Sequence, residues 1–298
     1  MPLENLIIHL YCLACDAMAS RPENQPLRSR GFAPALSDEE ALCIEMAGEI
    51  LGMDQDKQIH AYFKRHWLHF FPRLGCRTTF ARQAANLWAA KREVHAALLA
   101  AFDGREASLF VADGFPLPAC GFSRAHFSKL FKGEAAFGHC AAKKQTFYGF
   151  RGMLLINSAG MVVDFALAPA NADEREILQD LRLKGLRGHV LADKGFNGPK
   201  AREALAGLGL GLQTPSKKNM AEERPKEYLR AMMSARRLVE TVIGQLAERM
   251  SIEKCRARDG WHLMGRLWRK ILAHAACVAI NMKLGNPPLQ IERLFEPL

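Results

Sequence analysis

Two short phrases constrain this chain more than any other feature. Leu109-Phe-Val-Ala112 runs into Asp113-Gly-Phe115, and His189-Val-Leu-Ala192 runs into Asp193-Lys-Gly-Phe196. Each begins as the continuous apolar run that a strand buried on both faces requires, and each run stops at an aspartate. In open α/β sheets, the ends of core strands are where a rigid scaffold meets loops that admit substrate, so a carboxylate there is a candidate site residue. An Asp-Gly step after a strand is also ordinary turn chemistry. Its repetition at the ends of two such runs favours a site.

The elements around these phrases give the fold class. From about residue 106 the spacing predicts strands over Thr146–Ile156 and Met161–Leu167, joined by the turn residues Asn157-Ser-Ala-Gly160 as a hairpin. Asn171-Ala-Asp173 can cap a helix with Ile177, Leu178 and Leu181 inward, another helix starts near Pro199, and a short strand covers Leu210–Thr214. The order is βββαβαβα, and among mixed α/β sheets it matches the ribonuclease-H-like arrangement. Residues 1–104 read as helical throughout. There Ser37-Asp-Glu-Glu40 forms a capping box, and a spaced apolar set runs from Ile59 to Phe71 until Pro72. The expected division is a helical DNA-binding region over 1–104, a catalytic domain over 105–285 and a tail over 286–298.

Charge narrows the partners. The chain carries a formal +10, and residues 224–270 hold 12 Lys and Arg against 5 Asp and Glu. A concentrated basic surface attracts polyanions by releasing their counterions, which makes nucleic acid the leading partner, although a solvated helical face would look the same. Arg256, Arg258, Arg266, Arg269 and Lys270 are read as that surface, and the interleaved Trp261 and Trp268 as core. No apolar stretch reaches the roughly 18 residues of a membrane span, so no membrane partner is expected. The eight cysteines are scattered, mostly in apolar runs, and Cys12-Leu-Ala-Cys15 lacks a second pair at zinc spacing. This usage points to the cytoplasm.

A third carboxylate completes the set. Leu238, Val239, Val242, Ile243 and Leu246 form one helical stripe, and Glu240 lies just beyond its edge, one turn after Arg236. From that place it can face the rim of the sheet on which the helix packs; alone, it would read as a surface residue paired with Arg236. Carboxylates that converge must be neutralised, since two like charges about 4 Å apart repel by about 4 kcal/mol at an effective dielectric of 20. Divalent cations do this, and hard oxygen ligands suit magnesium. Lys217 and Lys218, in the loop after the last strand, are candidates for contacting phosphates.

These residues resemble the DDE transposases of bacterial insertion sequences, most closely the insertion-sequence 982 group. The resemblance spans roughly residues 36–285. It rests on Leu36-Ser-Asp-Glu, Tyr62-Phe-Lys-Arg65, Arg77 to Trp88, Asp113-Gly-Phe-Pro-Leu-Pro118, Phe147-Tyr-Gly149, Pro169-Ala-Asn171, Ala192-Asp-Lys-Gly195, Thr214 to Met220 and Arg236-Arg-Leu-Val-Glu240. It implies a ribonuclease-H-like core whose Asp113, Asp193 and Glu240 hold two Mg2+ ions, with Mn2+ as a substitute. It also implies cleavage and strand transfer at insertion-sequence ends. The partners would be double-stranded DNA, as terminal inverted repeats and target, and a second copy of the chain as a homodimer on DNA at the nucleoid. Lys217, Lys218, Arg236, Arg256 and Arg258 are the expected DNA contacts. Related families place a Tyr and a Lys where this chain has Met233 and Ala247, so roles tied to those two residues do not carry over. Two rival readings share the sequence: a nuclease of the same fold without strand transfer, and a catalytically inactive DNA-binding remnant.

Overall fold

The computed structural model describes residues 1–21, 27–28, 32–141, 143–216 and 224–294. The chain divides into two compact units, one of residues 1–102 and 246–298, the other of residues 103–245.

The first unit is helical. It contains α1 (Leu3–Ala19), α2 (Asp38–Ile50), α3 (Asp56–His66), α4 (Arg77–Asn86), α5 (Trp88–Ala101) and α10 (Gly260–Lys283). The capping box is present: Ser37 Oγ accepts from the Glu40 N–H, and Glu40 reaches back to the Ser37 N–H. Helix α2 is buried over Ala41–Ile50 and α10 over nearly its whole length, so the unit's core lies between these helices and α5. Helices sunk this deep carry charged side chains into the interior, and these are paired. Lys91 Nζ donates to Glu45 Oε1 at 2.8 Å, Arg269 Nε to Glu49 Oε1 at 2.6 Å and Lys270 Nζ to Glu49 Oε2 at 2.7 Å. Arg269 and Lys270 therefore correct the sequence reading: each is 1% exposed and belongs to the core, not to a basic surface. The tryptophans divide, with Trp268 buried and Trp261 exposed.

The second unit is a mixed α/β body on one six-stranded sheet. Its elements are β1 (Leu109–Gly121), α6 (Phe122–Ala125), β2 (Ala136–Cys140), β3 (Gln145–Asn157), β4 (Val162–Pro169), α7 (Glu174–Gln179), β5 (Gly188–Leu191), α8 (Pro199–Ala206), β6 (Leu210–Gln213) and α9 (Lys226–Gly244). β1 pairs antiparallel with β3 and parallel with β5, and β5 pairs parallel with β6. The far edge of β3 is shared, with β2 along 145–149 and β4 along 150–156. The hairpin forms where expected: Asn157 Oδ1 accepts the N–H groups of Ala159 and Met161, and Gly160 takes the positive φ of 78° that the turn needs.

Two features differ from the sequence reading. β2 was not foreseen, because Ala136–Cys140 is short and half-exposed and lacks an apolar run. β1 does not stop at Asp113 but continues to Gly121, because residues 114–121 find an antiparallel partner in β3. Its pairing with β5 ends at Val111, which leaves Pro116 and Pro118 facing no strand on that side, where a missing N–H costs nothing.

Candidate active site

The two aspartates are placed by one rung of the sheet. Val111 and Leu191 form the last parallel pair between β1 and β5, and Asp113 and Asp193 each stand two residues further along. Successive side chains of extended backbone alternate between faces, so each aspartate lies on the same face as its partner in that rung. β1 loses its neighbour at this point, and the sheet opens beside Asp113.

Helix α9 packs against β1 and β5. It buries Met232, Val239 and Val242, which fixes its rotation and presents Arg236 toward the aspartates. Arg236 Nη1 lies 3.5 Å from Asp193 Oδ1. Glu240, one turn on, is exposed and shares with Arg230, Met233, Arg236 and Arg237 a depression of about 460 Å³. The helix then continues into a π turn, Gln245–Arg249.

Asp113 is the electrostatically burdened member. Burial pushes its carboxyl up to about 6, and the negative charges of Glu174 and Asp193 act in the same direction. The Gly114 N–H, donating to Asp113 Oδ1 at 2.8 Å, and the charge of Arg236 oppose the shift without cancelling it. Burial is thus the larger cause of the rise, and like charge adds to it.

Sequence reasoning missed a fourth carboxylate. Asp173 caps α7 by accepting from the Arg175 N–H, which sets Glu174 at the helix start. Glu174 Oε1 pairs with Arg151 Nη1 on β3 at 3.0 Å. Its carboxylate also lies against both aspartate loops: Cβ atoms built on Gly114 and Gly195 would stand 3.4 and 3.9 Å from its oxygens. The available signal was that cap, which fixes where the next side chain points.

Asp113, Asp193 and Arg236 are thus brought together, with Glu240 on the adjoining turn. Among the described residues, no three His, Cys, Asp or Glu side chains stand as a group that could hold a metal ion. Arg256 and Arg258 are exposed and belong to the helical unit. Lys217 and Lys218 lie outside the described residues. No helix among the described residues is long and apolar enough to cross a membrane.

No curated protein matches the chain. A cryo-EM structure of the piggyBac transposase synaptic complex with hairpin DNA aligns over 97% of this chain and 76% of that one, at 10% identity and a TM-score of 0.47. The family described as Transposase DDE domain matches residues 103–260, more than half of the sequence, and the chain belongs to that family. It is a DNA transposase by class, an enzyme that cleaves nucleic acid.

Proposed function

We propose that the chain acts at the ends of a bacterial insertion sequence resembling the 982 group, cleaving DNA there and joining the freed 3′ end to a target. The observation that carries this reading is the shared rung: Asp113 and Asp193 lie two residues beyond the same strand pair, with α9 and its Arg236 against them. The strand order β4-β3-β1-β5-β6, with β3 antiparallel to its neighbours and β5 and β6 parallel to β1, supports a ribonuclease-H-like core. β2 is then an insertion within it. In this reading the catalytic function lies in residues 105–245, the part of the expected 105–285 domain that folds in the α/β unit, and the helical unit contacts DNA. Two inverted repeats must be held together, so the working form is a homodimer on DNA, in the cytoplasm at the nucleoid.

Asp113 and Asp193 would hold a divalent cation, with Glu240 as the third ligand. The raised Asp113 carboxyl fits this, because a hard oxygen ligand held up by burial and by neighbouring carboxylates is what Mg2+ or Mn2+ relieves. When bound, a pair of such ions supplies Lewis-acid stabilisation of charge on the attacking and leaving oxygens at phosphorus. The protein's own groups position and screen. The Gly114 N–H fixes one Asp113 oxygen, and Arg236 offsets the charge of Asp193. Arg230, Arg236 and Arg237 give the depression beside Glu240 the charge to hold a phosphodiester strand.

The test uses the full chain and a labelled duplex bearing the terminal repeat. Asp113→Asn should lower cleavage at least about a hundredfold, the scale of losing a central electrostatic group, while duplex affinity stays within about threefold. Undiminished cleavage would refute the site, and a parent chain that binds the duplex without cleaving it would leave the inactive remnant. Nicked products without joined strands would leave the nuclease.

A further inference from the structure

The helical unit carries a basic groove of about 640 Å³ that the carboxylate site does not use. It is lined by the start of α3, by α4 along its length and by the stretch from Arg256 to Arg266. Its cations are Lys57, Arg77, Arg82, Arg256 and Arg266. The one acidic residue lining it is Asp56, whose charge is already engaged by Arg269 and Arg266. Lys57, Arg77, Arg82 and Arg256 are exposed, and no carboxylate partners them among the described residues. Such a groove is an attractor for a chain of phosphates. Apart from Arg256, these residues lie outside the stretch matched by the transposase family.

One lining residue says more than the charge does. Trp261, in the first turn of α10, is 49% exposed although it is among the largest apolar side chains in the protein. Its ring meets Trp88 nearly edge to face, at 75° and 5.5 Å between centroids, so it is braced from one side while open to the groove. A flat indole beside a track of cations is the arrangement that receives a base by stacking. In a duplex the base faces are already stacked on one another, so a duplex gains nothing from it. We propose that this groove binds an unpaired stretch of DNA, with its phosphates on Arg77, Arg82 and Arg256 and a base stacked on Trp261. That the strand is DNA rests on the transposase reading; the preference for unpaired nucleotides rests on the groove.

The test is binding alone, in chelator, so that its outcome is independent of cleavage. Full-length protein is titrated into a labelled oligothymidylate and, separately, a blunt duplex of equal length, with fluorescence anisotropy as the readout. Trp261→Ala should weaken single-strand binding about 5- to 100-fold, the range that one base stack covers, and change duplex binding less than about twofold. Trp261→Phe should restore most of the loss, and the nearly unchanged duplex binding separates a lost stack from a fold defect. Arg82→Ala should weaken both and lower the salt slope by about one counterion. Unchanged single-strand affinity in Trp261→Ala, or equal losses for strand and duplex, would overturn the proposal.

Discussion

Both units gather acidic side chains around arginines and lysines, and the two gatherings serve opposite ends. In the helical unit Glu45 and Glu49 are out of water, and Asp56 joins them from the start of α3. They face Lys91, Arg269 and Lys270, with Arg266 reaching Asp56 from the rim, so each carboxylate has at least one cation. Spare donors find carbonyls: Lys91 Nζ reaches Ala84 O at 2.8 Å and Lys270 Nζ reaches Met250 O at 2.6 Å. In the α/β unit Asp113, Asp193 and Glu174 meet Arg236 and Arg151, and Asp113 still ends with its carboxyl raised to about 6. Paired charges brace a core. A carboxyl raised mainly by burial is one that a bound cation would return to its charged form.

That contrast can be broken by substitution. The largest effect is expected in the brace. Glu49→Gln removes the charge shared by Arg269 and Lys270, leaving Arg269 with Glu45 and Asp56 but the buried Lys270 with no carboxylate among the described residues, which should cost about 3–5 kcal/mol in a denaturant titration. A loss under about 1 kcal/mol would mean that the cluster is not a brace.

The site should respond with the opposite sign. A carboxyl whose folded pKa is raised to about 6 binds its proton more tightly folded than unfolded, so its ionisation erodes stability as pH rises from about 4 to about 6. Asp113→Asn should then gain about 1–3 kcal/mol over the parent above pH 6, in chelator, and little below pH 4. Equal stabilities at pH 8 would show that Asp113 bears no such burden.

The smallest effect separates positioning from charge. Glu174→Gln keeps the size of the side chain but weakens its hold on Arg151 beside the two aspartate loops. Cleavage should fall about tenfold, about 1.4 kcal/mol, with Glu174→Asp in between and the Mg2+ concentration for half activity shifted. A Glu174→Gln enzyme with unaltered metal dependence would make the pair purely structural.

Local patterns were legible where their cause is local. The Ser37–Glu40 box, the Asn157 turn, the Asp173 cap and the Pro199 helix start each depend on a few neighbouring residues, and each forms. What failed to show was decided by distant partners. β1 runs past Asp113 because β3 offers it hydrogen bonds, and β2 exists because the same strand has an edge to spare. Arg269 and Lys270 sit in a charged stretch that reads as surface, and they are buried because α2 supplies Glu45 and Glu49 from more than 200 residues away. Trp261 and Trp268 are seven residues apart on one helix, yet one is exposed in a groove and the other is buried.

The sequence by itself determined the mixed α/β class, the two aspartates at the ends of buried runs and the helix that carries Arg236 and Glu240, because hydrophobic period and turn chemistry act over a few residues. The tertiary structure decided which charges are neutralised. It set Glu174 between the aspartate loops, gave the buried carboxylates of the helical unit shared cationic partners and buried Asp113 with its carboxyl raised. Burial and Coulomb interaction depend on what lies within a few ångströms in space, and the order of residues along the chain does not specify that.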